Sequence, residues 1–435
     1  MTRILVIGGG IGGLVAALSL QAAGFEPQVF EGVAEIRPLG VGINLQPHAV
    51  RELTELGLAE ELAATGVATR ELRYVSAHGQ LIWAEDRGLA AGYKWPQYSI
   101  HRGRLQMLLW EACVARGIPV ATGKRCTGFS QTSSSVTARF ADGTEASGDA
   151  LIAADGIHSA IRAHFARGEG PPSWQGAILW RATTVAKPFL TGATMVQAGH
   201  HDQKFVVYPI AHHADGTALI NWIAEMRVDG LLRHRFSPPG HSALQASGPY
   251  QGFAREDWNR EIDRNRFLPA FESWNWGWLD VPGLIRGAER VLEYPMVDRD
   301  PLPAWTDGRV TLLGDAAHPM YPIGSNGASQ AVLDARWLAL SLARAGDVAR
   351  GLLDYEAFRR PATAKLTLAN RDLGPDIVLE EVHRRAPDGF TDLHSVISRQ
   401  ELEETAANYK RLAGFDPRLL NERESWSVAR APAGA

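Results

Sequence analysis

The glycine cluster Gly8-Gly9-Gly10-Ile11-Gly12-Gly13 constrains this chain most. It stands between a short apolar run, Arg3 to Ile7, and a helical pattern from Ile11 to Ala23 that stops at Gly24. The apolar run reads as a buried parallel strand. Gly8, Gly10 and Gly13 fit the G-x-G-x-x-G fingerprint. Gly8 permits a tight turn, Gly10 lets the backbone approach a pyrophosphate, and Gly13 lets helix and strand pack closely. The helix then aims free N–H groups and the positive end of its dipole at the phosphates. Pro27 to Phe30 reads as the second strand. Glu31, at its end and roughly 20 residues past the glycines, is placed to bind a ribose hydroxyl. This pattern predicts a doubly wound α/β domain for a dinucleotide, without separating NAD from FAD.

A chain of 435 residues can bury a large core and suggests two or three domains, or one body with a subdomain. Its net charge of -4, without a Lys/Arg-dense run, argues against a nucleic-acid partner. Cys113 and Cys126 are too few for a disulfide framework, which points to a reducing, cytoplasmic compartment. The chain enters its first strand at once and holds no long apolar run, so neither a secretion signal nor a membrane span is expected. Monomer and homodimer both stay open.

Further along, an α/β body is interrupted by a β-rich section. Residues 1–70 read as strand, helix, strand, loop and helix, the first part of the nucleotide-binding domain. Residues 71–100 carry a hairpin over 72–83 that turns at His78-Gly79 and belongs to the substrate domain. Residues 101–174 return to the nucleotide-binding domain, with a helix from Arg104 to Arg116 and strands over 125–154. Residues 175–297 form the β-rich substrate domain, with a polar loop from about 232 to 250. Residues 298–372 complete the nucleotide-binding domain with a strand at Arg309 to Leu313, a helix from Ser329 to Ala345, and a helix over 354–371 that Pro361 should break or kink. Residues 373–435 read as a polar tail without a clear pattern.

Two more motifs follow apolar strands. After Ala150 to Ala154 comes Asp155-Gly156, a sharp turn bearing a carboxylate, with a helix expected from His158 to Phe165 and Arg162 facing back. Asp155 can accept from ribityl hydroxyls or from backbone N–H groups beside a pyrophosphate. After Val310 to Leu313 comes Gly314-Asp315-Ala316-Ala317-His318-Pro319, then Pro322-Ile323-Gly324-Ser325-Asn326-Gly327. Asp315 is placed to bind ribityl hydroxyls. Pro322, Gly324, Asn326 and Gly327 shape a tight loop that opens a helix after Ala328. Its N–H groups would face the N1/C2=O edge of an isoalloxazine, where reduced flavin carries negative charge.

Together these three stretches resemble the FAD fingerprints of the single-component (class A) aromatic hydroxylases, the para-hydroxybenzoate hydroxylase family. The resemblance spans residues 1 to about 370. Within the family, Glu35 to Ile43, Tyr98 to Gly103, Tyr294 to Pro303 and Gly314 to Asp334 look most like phenazine-carboxylate monooxygenases. The resemblance implies a Rossmann-like FAD-binding domain with an inserted β-sheet substrate domain and C-terminal helices. It implies bound FAD, NADH or NADPH as co-substrate, and O2 activation through a flavin C4a-hydroperoxide. It implies a planar aromatic or heteroaromatic substrate, with or without loss of CO2. By motif, Arg102 would hold the pyrophosphate or ribityl region, with Arg104 as a second candidate, and Gly42 would line the flavin. No acid/base residue is required, because the flavin does the chemistry. The competing reading is an NAD(P)H reductase or oxidase of the same fold that inserts no oxygen.

The β-rich section should roof the pocket. Trp180, Tyr208, Asn221, Trp222 and Tyr294 lie on or beside its strands, where aromatics can stack a planar substrate and Asn221 can bond a ring substituent. Arg181 reads as a solvated strand-edge residue or as a partner for a substrate carboxylate. His48 reads as a substrate-pocket candidate or a helix-start residue, and His318 as a contact to the isoalloxazine or as packing behind its loop. His200-His201 and His212-His213 predict no metal site, because adjacent residues of an extended chain point to opposite faces. Trp274-Asn275-Trp276-Gly277-Trp278 partly resembles the tryptophan signature of flavin halogenases but departs from it at Trp278 and Leu279, so a core or wall role is expected.

Overall fold

The computed structural model describes residues 2–227 and 260–428. The polar loop expected from about 232 to 250 lies outside them. In chain order the strands are β1 (Arg3–Ile7), β2 (Glu26–Phe30), β3 (Gly42–Leu45), β4 (Val67–Thr69), β5 (Glu71–Val75), β6 (Leu81–Asp86), β7 (Gln97–His101), β8 (Val120–Ala121), β9 (Cys126–Gln131) and β10 (Val136–Phe140). They continue with β11 (Glu145–Gly148), β12 (Ala150–Ala153), β13 (Ser173–Ala186), β14 (Thr194–His200), β15 (Gln203–His212), β16 (Ala218–Arg227), β17 (Arg260–Glu261), β18 (Leu292–Asp298), β19 (Thr306–Asp307) and β20 (Val310–Leu312).

The first sheet has the order β19-β20-β12-β1-β2-β8 and is parallel except for β19. Ile4, Leu5, Val6, Leu151 and Ile152 are wholly buried, as an apolar strand covered on both faces requires. One cover is the helix Ile11–Ala22, packed against helices Arg102–Ala115 and Gly327–Ala345. The antiparallel sheet β11-β10-β9 packs against the same strands.

The substrate-domain sheet has the order β17-β18-β13-β16-β15-β14-β5-β6. The expected hairpin forms as β5–β6, turning at Gly79, and joins this sheet through a parallel pairing of β5 with β14. Successive side chains alternate between its two faces. One face, with Trp180, Trp222, Phe205 and Val207, packs on Phe267, Phe271, Trp274 and Leu284. The other, with Leu72, Met195, Val206 and Tyr208, packs on Val378, Leu379 and Leu402.

Four sequence expectations are corrected. The segment read as a loop after β2 contains β3, which pairs with β7. The helix expected from His158 is only Arg162–Phe165, because Asp155 and Ser159 side chains take the Ala160 and Arg162 N–H groups that a helix would have used. Helix Val348–Arg371 runs through Pro361 without a break, its apolar side held along Gly327–Ala345. The tail is also ordered: helices Ile377–Arg385, Arg399–Ala413 and Pro417–Glu422 fold back on the body.

Arg162 faces the protein interior. Its guanidinium donates to the carbonyls of Ala316 (3.0 Å), Ala317 (2.9 Å) and Asp300 (2.9 Å) and pairs with Glu169. It therefore ties the second motif to the third. Arg162→Met should cost roughly 3 kcal/mol, since it strands three carbonyls and leaves Glu169 with Arg299 alone. A shift in the urea midpoint without a change of slope is the expected result.

Candidate functional site

Strands β1, β12 and β20 lie side by side and parallel, so the turns after them share one edge of the sheet. Those turns are the three motifs. Ligands of parallel α/β sheets bind outside this carboxyl edge.

At the first turn, a Cβ on Gly13 would overlap the Gly8 carbonyl, so a larger residue would push the helix off the strand. No side chain caps the helix that starts at Ile11, and no atom stands within 4 Å of where a Gly10 Cβ would be. The first N–H groups are thus left for an anion. Glu31 holds the glycine loop, accepting from the N–H of Gly9 (2.6 Å) and of Val33 (2.8 Å). A carboxylate has about four acceptor sites, so Glu31 can still take a ribose hydroxyl.

At the second turn, Asp155 Oδ2 accepts from the Ala160 N–H at 3.0 Å, while Oδ1 is buried without a partner. Burial raises its carboxyl above the ordinary value. A buried acceptor of this kind calls for a donor, and a ligand hydroxyl supplies one. At the third turn, Asp315 is exposed. The surrounding protein raises its carboxyl, with His318 and Arg102 opposing. Arg102, exposed at the start of helix Arg102–Ala115, thus stands near Asp315.

The loop from Pro322 to Ala328 is held from three sides. Gly324 has a φ of 69°, and a Cβ there would overlap the Tyr409 hydroxyl. Asn326 Nδ2 donates to the Gly324 carbonyl and to Tyr409, both at 2.9 Å. Gln46 Nε2 reaches the Gly324 carbonyl at 3.3 Å. The Asn326 side chain, bonded within the loop, does not cap the helix that begins at Gly327, and the space beside Gly327 is open. A second set of helix N–H groups is therefore available.

Across the cleft, Gly42 joins the flavin-side loop to the substrate sheet. Its N–H donates to Asn221 Oδ1 at 2.7 Å, and its carbonyl accepts from Arg181 at 2.9 Å. Between the sheet and the tail helices lies a narrow cleft with about 20 Å³ of free volume, open to solvent. Tyr74, Trp83, Met195, Tyr409 and Phe415 line it, and Gly324 and Ser325 form part of its wall.

These features fit FAD: two uncapped helix starts, acids at three turns and one unpartnered buried oxygen. The chain matches the FAD binding domain family over residues 1–241 and 297–369. It is 46% identical to the phenazine 1,6-dicarboxylic acid hydroxylase PhzS of Lysobacter antibioticus, over 85% of this chain and 89% of that one. It is 33% identical to the 3-amino-4-hydroxybenzoate 2-monooxygenase PtmB3 of Streptomyces platensis, over 87% and 89%. It belongs to the class A flavoprotein aromatic hydroxylases. The fold is also that of Klebsiella pneumoniae HpxO complexed with FAD and uric acid, at a TM-score of 0.69 and 24% identity, over 97% of this chain and 95% of that one.

In this hydroxylase the five substrate candidates separate by sheet face. Trp180 and Trp222 point away from the cleft, which corrects their assignment. Trp180 donates to Glu293 at 2.8 Å and stacks on Phe267 at 4.4 Å, while Trp222 donates to Thr184 at 3.0 Å. Asn221 faces the cleft side, but its carbonyl is committed to Gly42. Tyr208 is buried, burial raising its hydroxyl pKa and Arg181 opposing that, and Tyr294 has the Arg181 guanidinium 6.0 Å from its ring. None of the five lines the cavity just described. Arg181 is neither solvated nor free; it braces Gly42, and burial lowers its pKa.

His48 is the second residue of helix Pro47–Glu55 and is buried against Phe415; burial, with Arg359 and Arg423, pushes its pKa down to about 3. His318 packs behind its loop on Asp334, as expected. His200 stacks on His383 with centroids 3.8 Å apart. Tyr409 and the cavity wall from the tail were not anticipated. Their signal was present: Ser398 and Glu401 form a capping box, followed by Leu402, Tyr409 and Ala413 on the buried side of one helix.

Asp315→Ala should weaken FAD binding by about tenfold or more, the value of a charge-assisted hydrogen bond. The ratio of flavin to protein absorbance after dialysis measures it. Trp180→Phe should lower the melting temperature and leave the Kd for aromatic ligands within about twofold, the outcome for a side chain packed on the far face.

Proposed function

We propose that this hydroxylase acts on a planar aromatic carboxylate of the phenazine type, with NAD(P)H and O2 as co-substrates. The single observation that carries this reading is the aromatic-lined cavity that shares Gly324 and Ser325 with the flavin loop. The cleft as it stands admits little more than a water, so a ring enters only as sheet and tail helices part, and would then lie beside the flavin. The 46% identity to a phenazine 1,6-dicarboxylic acid hydroxylase supports the phenazine class. Bound FAD, reduced by the nicotinamide co-substrate, would activate O2, from which the inserted oxygen comes.

The chain's own residues do the rest. The three turns and Arg102 hold the dinucleotide. The helix start at Gly327 stabilises negative charge beside the loop. Gln46 and Tyr409 fix the loop itself, so that its N–H groups stay aimed. Tyr74, Trp83, Met195 and Phe415 exclude water and take the faces of a flat ring. Cys113 and Cys126 are free and buried, which suits a reducing cytoplasm.

The test supplies purified holoenzyme with phenazine-1,6-dicarboxylate and follows NADH or NADPH oxidation, O2 uptake and product mass. The expected outcome is matched consumption of both co-substrates and a product that gains one oxygen. Loss of CO2 in the same product would mark a decarboxylative hydroxylation. Reduction of the substrate without O2 uptake would overturn the proposal in favour of a reductase on the same fold.

A further inference from the structure

One wall of the cavity carries charge that the flavin chemistry does not use. Glu85, at the end of the substrate-domain hairpin, bonds two cations. Its Oε1 accepts from Arg87 at 2.6 Å and its Oε2 from Lys410 at 2.7 Å. Arg87 is fixed further by Gln97 at 3.0 Å, and its guanidinium lies 5.9 Å from the Phe415 ring centre. Burial acts to raise the Glu85 carboxyl, yet Arg87 and Lys410 hold it below its ordinary value. The cluster therefore stands as one anion with two cations. The Glu85 and Arg87 side chains are each 10% exposed and that of Lys410 is 19% exposed, so water screens them poorly.

Among the described residues, Glu85 is the only acid in the cavity lining. Asp376, beside the lining residue Pro375, is bonded to Lys204 at 2.6 Å, and Lys204 also pairs with Glu225 at 3.1 Å. Within the lining the cations outnumber the acid by one, and a partly buried surplus charge favours an anion beside it. Donors remain for one: Lys410 commits a single N–H to Glu85, and an ammonium has three. Lys410 directly follows Tyr409, whose hydroxyl contacts the flavin loop, so the cluster and the loop belong to the same chamber.

We propose that Arg87 and Lys410 form a carboxylate subsite that anchors the acid group of an aromatic substrate. The subsite rests on reading this cavity as the substrate pocket. Tyr74, Trp83, Met195 and Phe415 take the ring; the two cations take the carboxylate; Glu85 holds the cations apart and sets how much positive charge they present. A neutral aromatic of the same shape gains only the ring contacts. Discrimination for acids over amides follows.

The test is a binding measurement on the FAD-loaded protein, independent of oxygen transfer. Calorimetry would give Kd values for phenazine-1,6-dicarboxylate and for its diamide. Lys410→Met should weaken the dicarboxylate about tenfold and leave the diamide within about twofold. Glu85→Gln removes the competing acid and should tighten the dicarboxylate about threefold or more, a direction that a merely structural role does not produce. The KM for NADH or NADPH should not move. Equal weakening of both phenazines in Lys410→Met overturns the subsite, as does a diamide that binds the unaltered protein as tightly as the acid. A loss confined to nicotinamide affinity also overturns it and reassigns the cations to that cofactor. A protein that binds the acid through these residues but inserts no oxygen keeps the subsite and removes the hydroxylase reading of the pocket.

Discussion

Unpaired backbone N–H groups at two helix starts are the constraint on which this structure depends. Neither the helix at Ile11 nor the helix at Gly327 is capped by a side chain. Both begin on the carboxyl side of the same sheet, and they pack against each other along their lengths. Such groups are costly to bury without partners, and the open space beside Gly10 and beside Gly327 leaves each set free for a ligand acceptor. The glycines follow from this. Gly13 seats the first helix against its strand, and Gly324 makes room for the tyrosine that fixes the second loop.

The second governing rule is the two-residue alternation of the large sheet. On β16, Trp222 enters a tryptophan-rich core while its neighbour Asn221 bonds Gly42 on the cleft side. On β13, Trp180 and Arg181 divide the same way. Rigidity thus comes from one face and positioning from the other. The Asn221–Gly42–Arg181 contacts join the large sheet to the start of β3, so the position of the roof is coupled to that strand.

How much of this could be read from residues alone depended on how local each signal was. Gly8 to Gly13, Asp155 and Asp315 announced themselves because backbone sterics and charge at a strand end are local properties. The family resemblance rested on the same residues. Which sheet face Trp180 and Trp222 would take was not readable, since both flanking residues on each strand were also compatible with burial. Arg181 appeared solvated because its partner, the Gly42 carbonyl, lies far away in sequence. The tail looked patternless because its helices are short and bury only a few side chains each, among them Leu402, Tyr409 and Ala413. Its capping box at Ser398 and Glu401 was the one local clue.

Tyr409 lies 83 residues beyond Asn326 in the chain, yet its hydroxyl steadies that residue's loop. Damage to this far helix would leave the three motif turns in place while loosening the third loop. Yellow colour in a purified sample would then be poor testimony to a competent reaction chamber.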